Sequence, residues 1–227
     1  MSVVGLFPAP ALWFAGAHLG KVISVKDPQS LGRVQVQLLA ADPDAEAPIW
    51  ARVAVPFAGD NFGAFLIPDV GAEVVIVFTA NDMDHPIVVG ALWNGKTALP
   101  ESLPADKVDR WAIWGKNGTV ISIVEESKGQ EVVEISTPNG ATATLTDASG
   151  GEITLEVGSN TIKMSSSGIA IDTGSKCTIN ASGVTVTAGT VKVDTSMATF
   201  TGAVKCTSLI TDSVVSKSYT PGAGNVW

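Results

Sequence analysis

GEITLEVGSNTIKMSSSGIAID, residues 151–172, reads as short strands separated by tight turns. Ile153, Leu155 and Val157 alternate with Thr and Glu; Ile162 and Met164 flank Lys163; Ile169 and Ile171 flank Ala170. A period of two puts the aliphatic side chains on one face of each strand and the polar ones on the other. The pattern extends in both directions, through Ala141, Ala143 and Leu145 upstream and Val184/Val186 and Val191/Val193 downstream. Glycine turns punctuate it at Asn117-Gly118, Lys128-Gly129, Asn139-Gly140, Gly150-Gly151, Gly158, Gly168, Gly174, Gly183, Gly189 and Gly202. Each interval is one short strand plus one turn, a loose internal repeat that implies stacked strands.

A single chain folded this way is flat, with a greasy face and open edges, which invites aggregation. Three copies around a common axis would bury the dry faces together and pair the edges between chains. Residues 116–217 are therefore predicted to form an intertwined, trimeric β-helix shaft. Its layers, stacked at about 4.8 Å, give a length on the order of 50 Å.

Upstream, KTALPESLPADKV carries Pro100 and Pro104 without periodicity, so residues 98–115 read as a linker. Before it, HLGKVISVKD and GRVQVQLL alternate around a Pro28–Gly32 turn, a hairpin signal. IWARVAVPFAG, GAFLIP, AEVVIVFT and PIVVGALW follow. So many short strands without an amphipathic helix predict a small closed barrel over residues 17–97. Residues 1–16 form an apolar arm, interrupted by Pro8 and Pro10, expected to pack on a partner or on sister chains. The arm lacks the basic n-region of a signal peptide and is too short and broken to span a bilayer. Residues 218–227, SYTPGAGNVW without the repeat, form a C-terminal apex segment.

Composition agrees with an all-β chain. Of 227 residues 45% are apolar and 16% charged, with 23 glycines. The formal net charge of −8 disfavours attraction to phosphate, so no nucleic-acid partner is expected. An OB-fold oligonucleotide binder would need basic residues and stacking aromatics on the barrel, where acids outnumber bases. Cys177 and Cys206 lie outside any CxxC or Cys/His cluster and read as two buried free thiols.

The strings GKVISVKDPQSLGRVQVQL, WARVAVPFAG and IPDVGAEVVIVFTANDMDHPIVVGALWNG, within residues 19–95, occur in a characteristic order. They comprise a DP-x-x-LGRV hairpin, a W-x-R-V strand, a P-x-VG-x-EV-x-V-x-F strand and an HP-x-V-x-G strand ending in NG. This set resembles the OB barrel of the phage baseplate spike (baseplate assembly protein V) family, which includes the VgrG spikes of type VI secretion. The resemblance implies a central spike of a contractile tail, in a phage, tailocin or related injection system. Its OB barrel would dock on a baseplate hub protein, and its trimeric shaft would be driven into the target cell envelope. The protein would be made in the host cytoplasm and reside at the distal end of a virion or tail-like particle.

Catalytic chemistry is not expected. The only histidines are His18 and His85, and no GxSxG, HExxH or Cys/His arrangement occurs. Some relatives carry a lysozyme domain between barrel and shaft, whereas only the linker occupies that place here. Glu125 and Glu126 read as a solvated face, and Asp82, Asp84 and His85 as a polar turn rather than a cation site. No metal or cofactor is expected; the iron apex of some short spikes needs paired histidines, and none follows residue 85. Trp13, Phe14, Trp111 and Trp114 are candidates for hub docking or inter-chain contact. Tyr219, Pro221, Val226 and Trp227 either fold back over the apex or receive a separate tip protein of the PAAR type, the second being favoured. A trimeric tailspike binding or degrading surface polysaccharide is the alternative. It would need wide faces with exposed aromatics and paired carboxylates.

Overall fold

The computed structural model describes residues 15–102 and 106–218, and the chain divides into two units after Ser175. In the first unit, strands β1 (Ala17–Ser24), β2 (Val34–Leu38) and β3 (Ile49–Val53) are followed by a small hairpin, β4 (Ala58–Gly59) and β5 (Phe62–Gly63). Strands β6 (Glu73–Phe78) and β7 (Pro86–Leu92) complete a closed barrel of order β1-β2-β3-β7-β6, with β6 returning to β1. The β3–β7 pair is parallel and the other barrel pairs are antiparallel. Among the described residues the helical content is two short 3-10 turns, at Thr79–Asn81 and Ala148–Gly150.

Alternation builds the barrel interior. Val34, Val36 and Leu38 of β2 point inward beside Val22, Ala51, Val74, Ile76, Phe78 and Val88. These side chains are mostly small, so one over-large residue is felt at once. Gly20 sits buried on β1, and a Cβ there would meet Ile76 Cδ1 at 2.4 Å and the Gln37 carbonyl oxygen at 3.0 Å. The first obstacle can rotate; the second is backbone. Gly20→Val is expected to lower barrel stability by about 1–3 kcal/mol, read from chemical denaturation. Wild-type stability in that variant would show that the barrel wall yields.

Beyond the barrel, β8 (Arg110–Trp114), β9 (Val120–Val124), β10 (Val132–Ser136), β11 (Ala141–Thr146), β12 (Glu152–Val157), β13 (Asn160–Ser165) and β14 (Gly168–Asp172) form one seven-stranded antiparallel meander. The stretch read as linker, residues 98–115, thus contains a strand. β8 pairs with β9 from Arg110↔Val124 to Trp114↔Val120. Local turns explain why the pairing stays within the chain. At the β12–β13 connection Val157 faces Asn160 across two residues, and Gly158 takes φ 60°. A glycine with positive φ at the first central position is the signature of the hairpin turn that matches strand twist.

In the second unit, residues 176–218 form no strand. Their aliphatic side chains, among them Ile179, Val184, Val186, Val191 and Val193, are exposed. Cys177 and Cys206, expected to be buried, are likewise exposed free thiols, in a stretch that forms no strand of its own.

Candidate functional site

Register places the alternating residues of the meander in two continuous rows. The first runs Trp111, Ile123, Val133, Leu145, Ile153, Met164, Ile169, and each residue is directly opposite the next. The second runs Ile113, Ile121, Ile135, Ala143, Leu155, Ile162, Ile171. Every large side chain in both rows is exposed, from 39% at Val133 to 66% at Ile169. Soluble chains seldom present a contiguous apolar surface of this extent unless something covers it. Covering it would add about 1 kcal/mol per side chain, since each is already partly shielded.

The reverse face is polar over most of the sheet. Glu134, Thr144, Thr154 and Lys163 form one cross-strand row. Lys163 pairs with Glu152 at 2.6 Å, and the Thr154 hydroxyl donates to the same carboxylate at 3.2 Å. The ammonium, more than the hydroxyl, holds the Glu152 carboxyl below its ordinary range. One face is therefore satisfied by its own chain, whereas the other is not.

Charged groups secure the start of the sheet. The Arg110 guanidinium donates to Glu101 at 2.6 Å, Asp109 at 2.9 Å and Glu126 at 2.6 Å. It ties the connecting segment to the first rungs, and Glu101 above all pushes its pKa further up. Glu126 is engaged in that cluster as well as facing solvent. Lys116, in the β8–β9 turn, pairs with Asp69 of the barrel.

Trp111 and Trp114 are both about half exposed. Three positions apart on one strand, they project from opposite faces. Trp111 belongs to the apolar row, and Trp114 lies across from Val120 on the reverse face. Trp13, Phe14, Tyr219, Pro221, Val226 and Trp227 lie outside the described residues. The Asp82 carboxylate accepts from the Asp84 backbone N–H and contacts His85 Nδ1, both at 2.9 Å, which closes a turn. The first of these contacts is the larger cause of its lowered pKa.

Sequence reading left Trp111 and Ile113 in the linker and so missed the strand that carries them onto the apolar face. The signal was available: RWAIW and VISIV alternate on either side of Asn117-Gly118, a strand–turn–strand pattern. It also missed a smaller apolar surface on the barrel, where Phe57, Phe62, Phe65 and Leu66 are exposed around the β4–β5 hairpin.

Comparison with known proteins assigns both halves of the chain. Residues 18–93 match the type VI secretion system/phage-baseplate injector OB domain, and residues 132–199 match the phage baseplate V C-terminal trimerisation domain. Among similar proteins, the type VI secretion system spike protein VgrG4b of Pseudomonas aeruginosa is 33% identical over 109 residues, 45% of this chain and 14% of that protein. VgrG1a of the same organism is 34% identical over 92 residues, 38% of this chain and 14% of the relative. VgrG3 of Vibrio cholerae is 33% identical over 81 residues, 34% of this chain and 8% of the relative. The chain therefore matches only a small part of these spike proteins. With an injector OB domain on the closed barrel and a trimerisation domain on the sheet that leaves its apolar face bare, the chain belongs to the baseplate spike family.

Proposed function

We propose that this protein is the central piercing spike at the baseplate of a contractile tail, in a phage, a tailocin or a related injection system. Three copies join through the apolar face of the meander and continue as an intertwined shaft over the downstream segment. The OB barrels dock on a hub protein, and the shaft is pushed into the target envelope when the sheath contracts. A PAAR-type tip protein caps the C-terminal end. The role is mechanical rather than enzymatic, in keeping with the two domains the chain carries.

The observation that carries this reading is the pair of unbroken apolar rows, whose large side chains are all exposed in the single chain. A force-bearing needle requires that no strand can leave without disrupting its neighbours. Residues 176–218, apolar at alternate positions and without a strand partner of their own, are suited to pairing between chains. Such a shaft gains kinetic stability, since unfolding must separate all three copies.

Light scattering coupled to small-angle X-ray scattering tests the proposal. The expected particle has three times the chain mass of 23.3 kDa and an elongated profile. A compact monomer would eliminate the spike reading. Activity of the purified protein on capsule or lipopolysaccharide would favour a polysaccharide-directed tailspike instead.

A further inference from the structure

We propose that residues 3–14 fold back over the barrel of their own chain, and that the Phe7-Pro8-Ala9-Pro10 stretch fills the aromatic groove beside the β4–β5 hairpin. Val53, Val55, Phe62, Phe65 and Ile67 line that groove, a cavity of about 420 Å3 whose wall carries no charged side chain. Phe62 is 66% exposed and Phe65 87%. The Phe62 ring lies against Gly59, where a Cβ would meet it at 2.2 Å. One face of the ring is thus held by backbone while the other is open. A surface aromatic supported in this way is a ready anchor, because little freedom remains to be lost on binding. Through Phe65 and Ile67 the groove continues to Val25, just past the end of β1. The two charges on that rim are already engaged, Arg33 by Asp27 and Asp69 by Lys116.

Chain geometry selects the occupant. The chain bends at Gly16, φ 91°, immediately before β1. β1 is hydrogen-bonded on both edges, to β2 and to β6, so a segment returning from that bend adds no strand and lies across the outer wall. The wall is apolar where the return begins. Ala17 and Leu19 are exposed there, and their partners Val77 and Val75 are half-buried. β1 has eight residues, a length of about 26 Å. Residues 8–15 match it in number. In extended form Trp13 falls level with Leu19, and Phe7 and Pro8 fall level with Val25 and Ser24, at the mouth of the groove. The chemistry matches as well. Residues 2–17 contain no ionisable side chain, in a chain of net charge −8. Two prolines one residue apart favour the polyproline II form, which aromatic-lined grooves receive. The short tether presents the segment at an effective concentration on the order of millimolar, ahead of a free partner. Trp13 and Phe14 then lie on the barrel wall, and a hub meets a barrel whose aromatic groove is already filled.

Cross-linking in the full chain tests the proposal. In a Cys177→Ser, Cys206→Ser background, Ala9→Cys is combined either with Val25→Cys, at the groove, or with Asp44→Cys, in the β2–β3 connection at the other end of the barrel. A short bis-maleimide should join positions 9 and 25 within one chain, giving single-chain mobility on denaturing electrophoresis and a linked peptide by mass spectrometry. Positions 9 and 44 should stay mostly unlinked. Linkage of 9 to 25 as covalent dimers would put the segment on a sister barrel and overturn the proposal. Equal linkage to 44, or none to either position, would also overturn it and leave the groove to another protein. Amide exchange gives a check without cysteines. Phe7→Ser combined with Pro8→Ser, which leaves the barrel core untouched, should speed exchange at residues 58–66 on the order of tenfold. Unchanged exchange there would mean that the segment does not cover the hairpin. The scattering mass of the same samples reads the trimer separately, so the two proposals fail independently.

Discussion

Leu155→Asp is expected to abolish assembly, reducing the scattering mass from three times 23.3 kDa to a single chain and exposing the shaft to protease. Leu155 stands mid-row, opposite Ala143 on one side and Ile162 on the other. In a trimer three new carboxylates would converge on a dry axis, each losing water without gaining a partner. The penalty is several kcal/mol per ion, with mutual repulsion added. β12 already carries carboxylates at Glu152 and Glu156, so charge within the strand is not itself disruptive. Those two lie on the reverse face, one position out of phase with Leu155. Leu155→Met, nearly equal in volume, should keep both the trimer and its melting behaviour to within about 1.5 kcal/mol. A trimeric Leu155→Asp with unchanged protease resistance would show that this face is not the shared core.

The sequence disclosed what depends on period and left obscure what depends on partners. Alternation at Ile153, Leu155 and Val157 was enough to identify a strand and its apolar face. The ordered barrel strings pointed to an OB domain, which the family match over residues 18–93 supports, because each string carries its own turn. Two prolines at 100 and 104 suggested a linker through residue 115, yet proline restricts only its immediate neighbourhood, and β8 forms a few residues later. Burial of the thiols could not be judged from pattern alone. A small apolar residue in an alternating stretch is dry only if a covering surface exists, and around Cys177 and Cys206 a single chain offers none. The same limit applies to the shaft. Hairpin turns keep the strands through Asp172 within one chain, whereas the later segment has apolar alternation without in-chain ladders. Trp111 and Trp114, grouped by composition, are separated by pleat geometry that only the register exposes.

The DP-x-x-LGRV string shows how much structure one side chain can organise, and its removal should be costly. Asp27 accepts from the Gln29 backbone N–H at 3.0 Å, the Leu31 backbone N–H at 2.9 Å and the Arg33 backbone N–H at 3.3 Å. It also takes both guanidinium contacts of Arg33, Nε at 3.1 Å and a terminal nitrogen at 2.7 Å. Arg33 in turn lies 5.6 Å from the centre of the Trp50 ring, which links the β1–β2 loop to β3. Asp27→Asn removes the charge and the second acceptor oxygen while keeping the shape. The amides of residues 24–38 are expected to exchange on the order of tenfold faster or more at neutral pH. Acid provides an internal check. Arg33 chiefly, and then the three backbone donors, hold the folded Asp27 carboxyl well below the usual carboxylate range. A depressed folded pKa means that the contribution is complete above the unfolded value of about 4 and declines as pH falls below it toward the folded pKa. The gap in stability between wild type and Asp27→Asn should thus be widest near neutrality and narrow progressively under acid. A gap that stays constant from pH 7 down to pH 2 would mean that the carboxylate's charge does not hold this loop, and that the hairpin owes its shape to Gly32 and the prolyl turn alone.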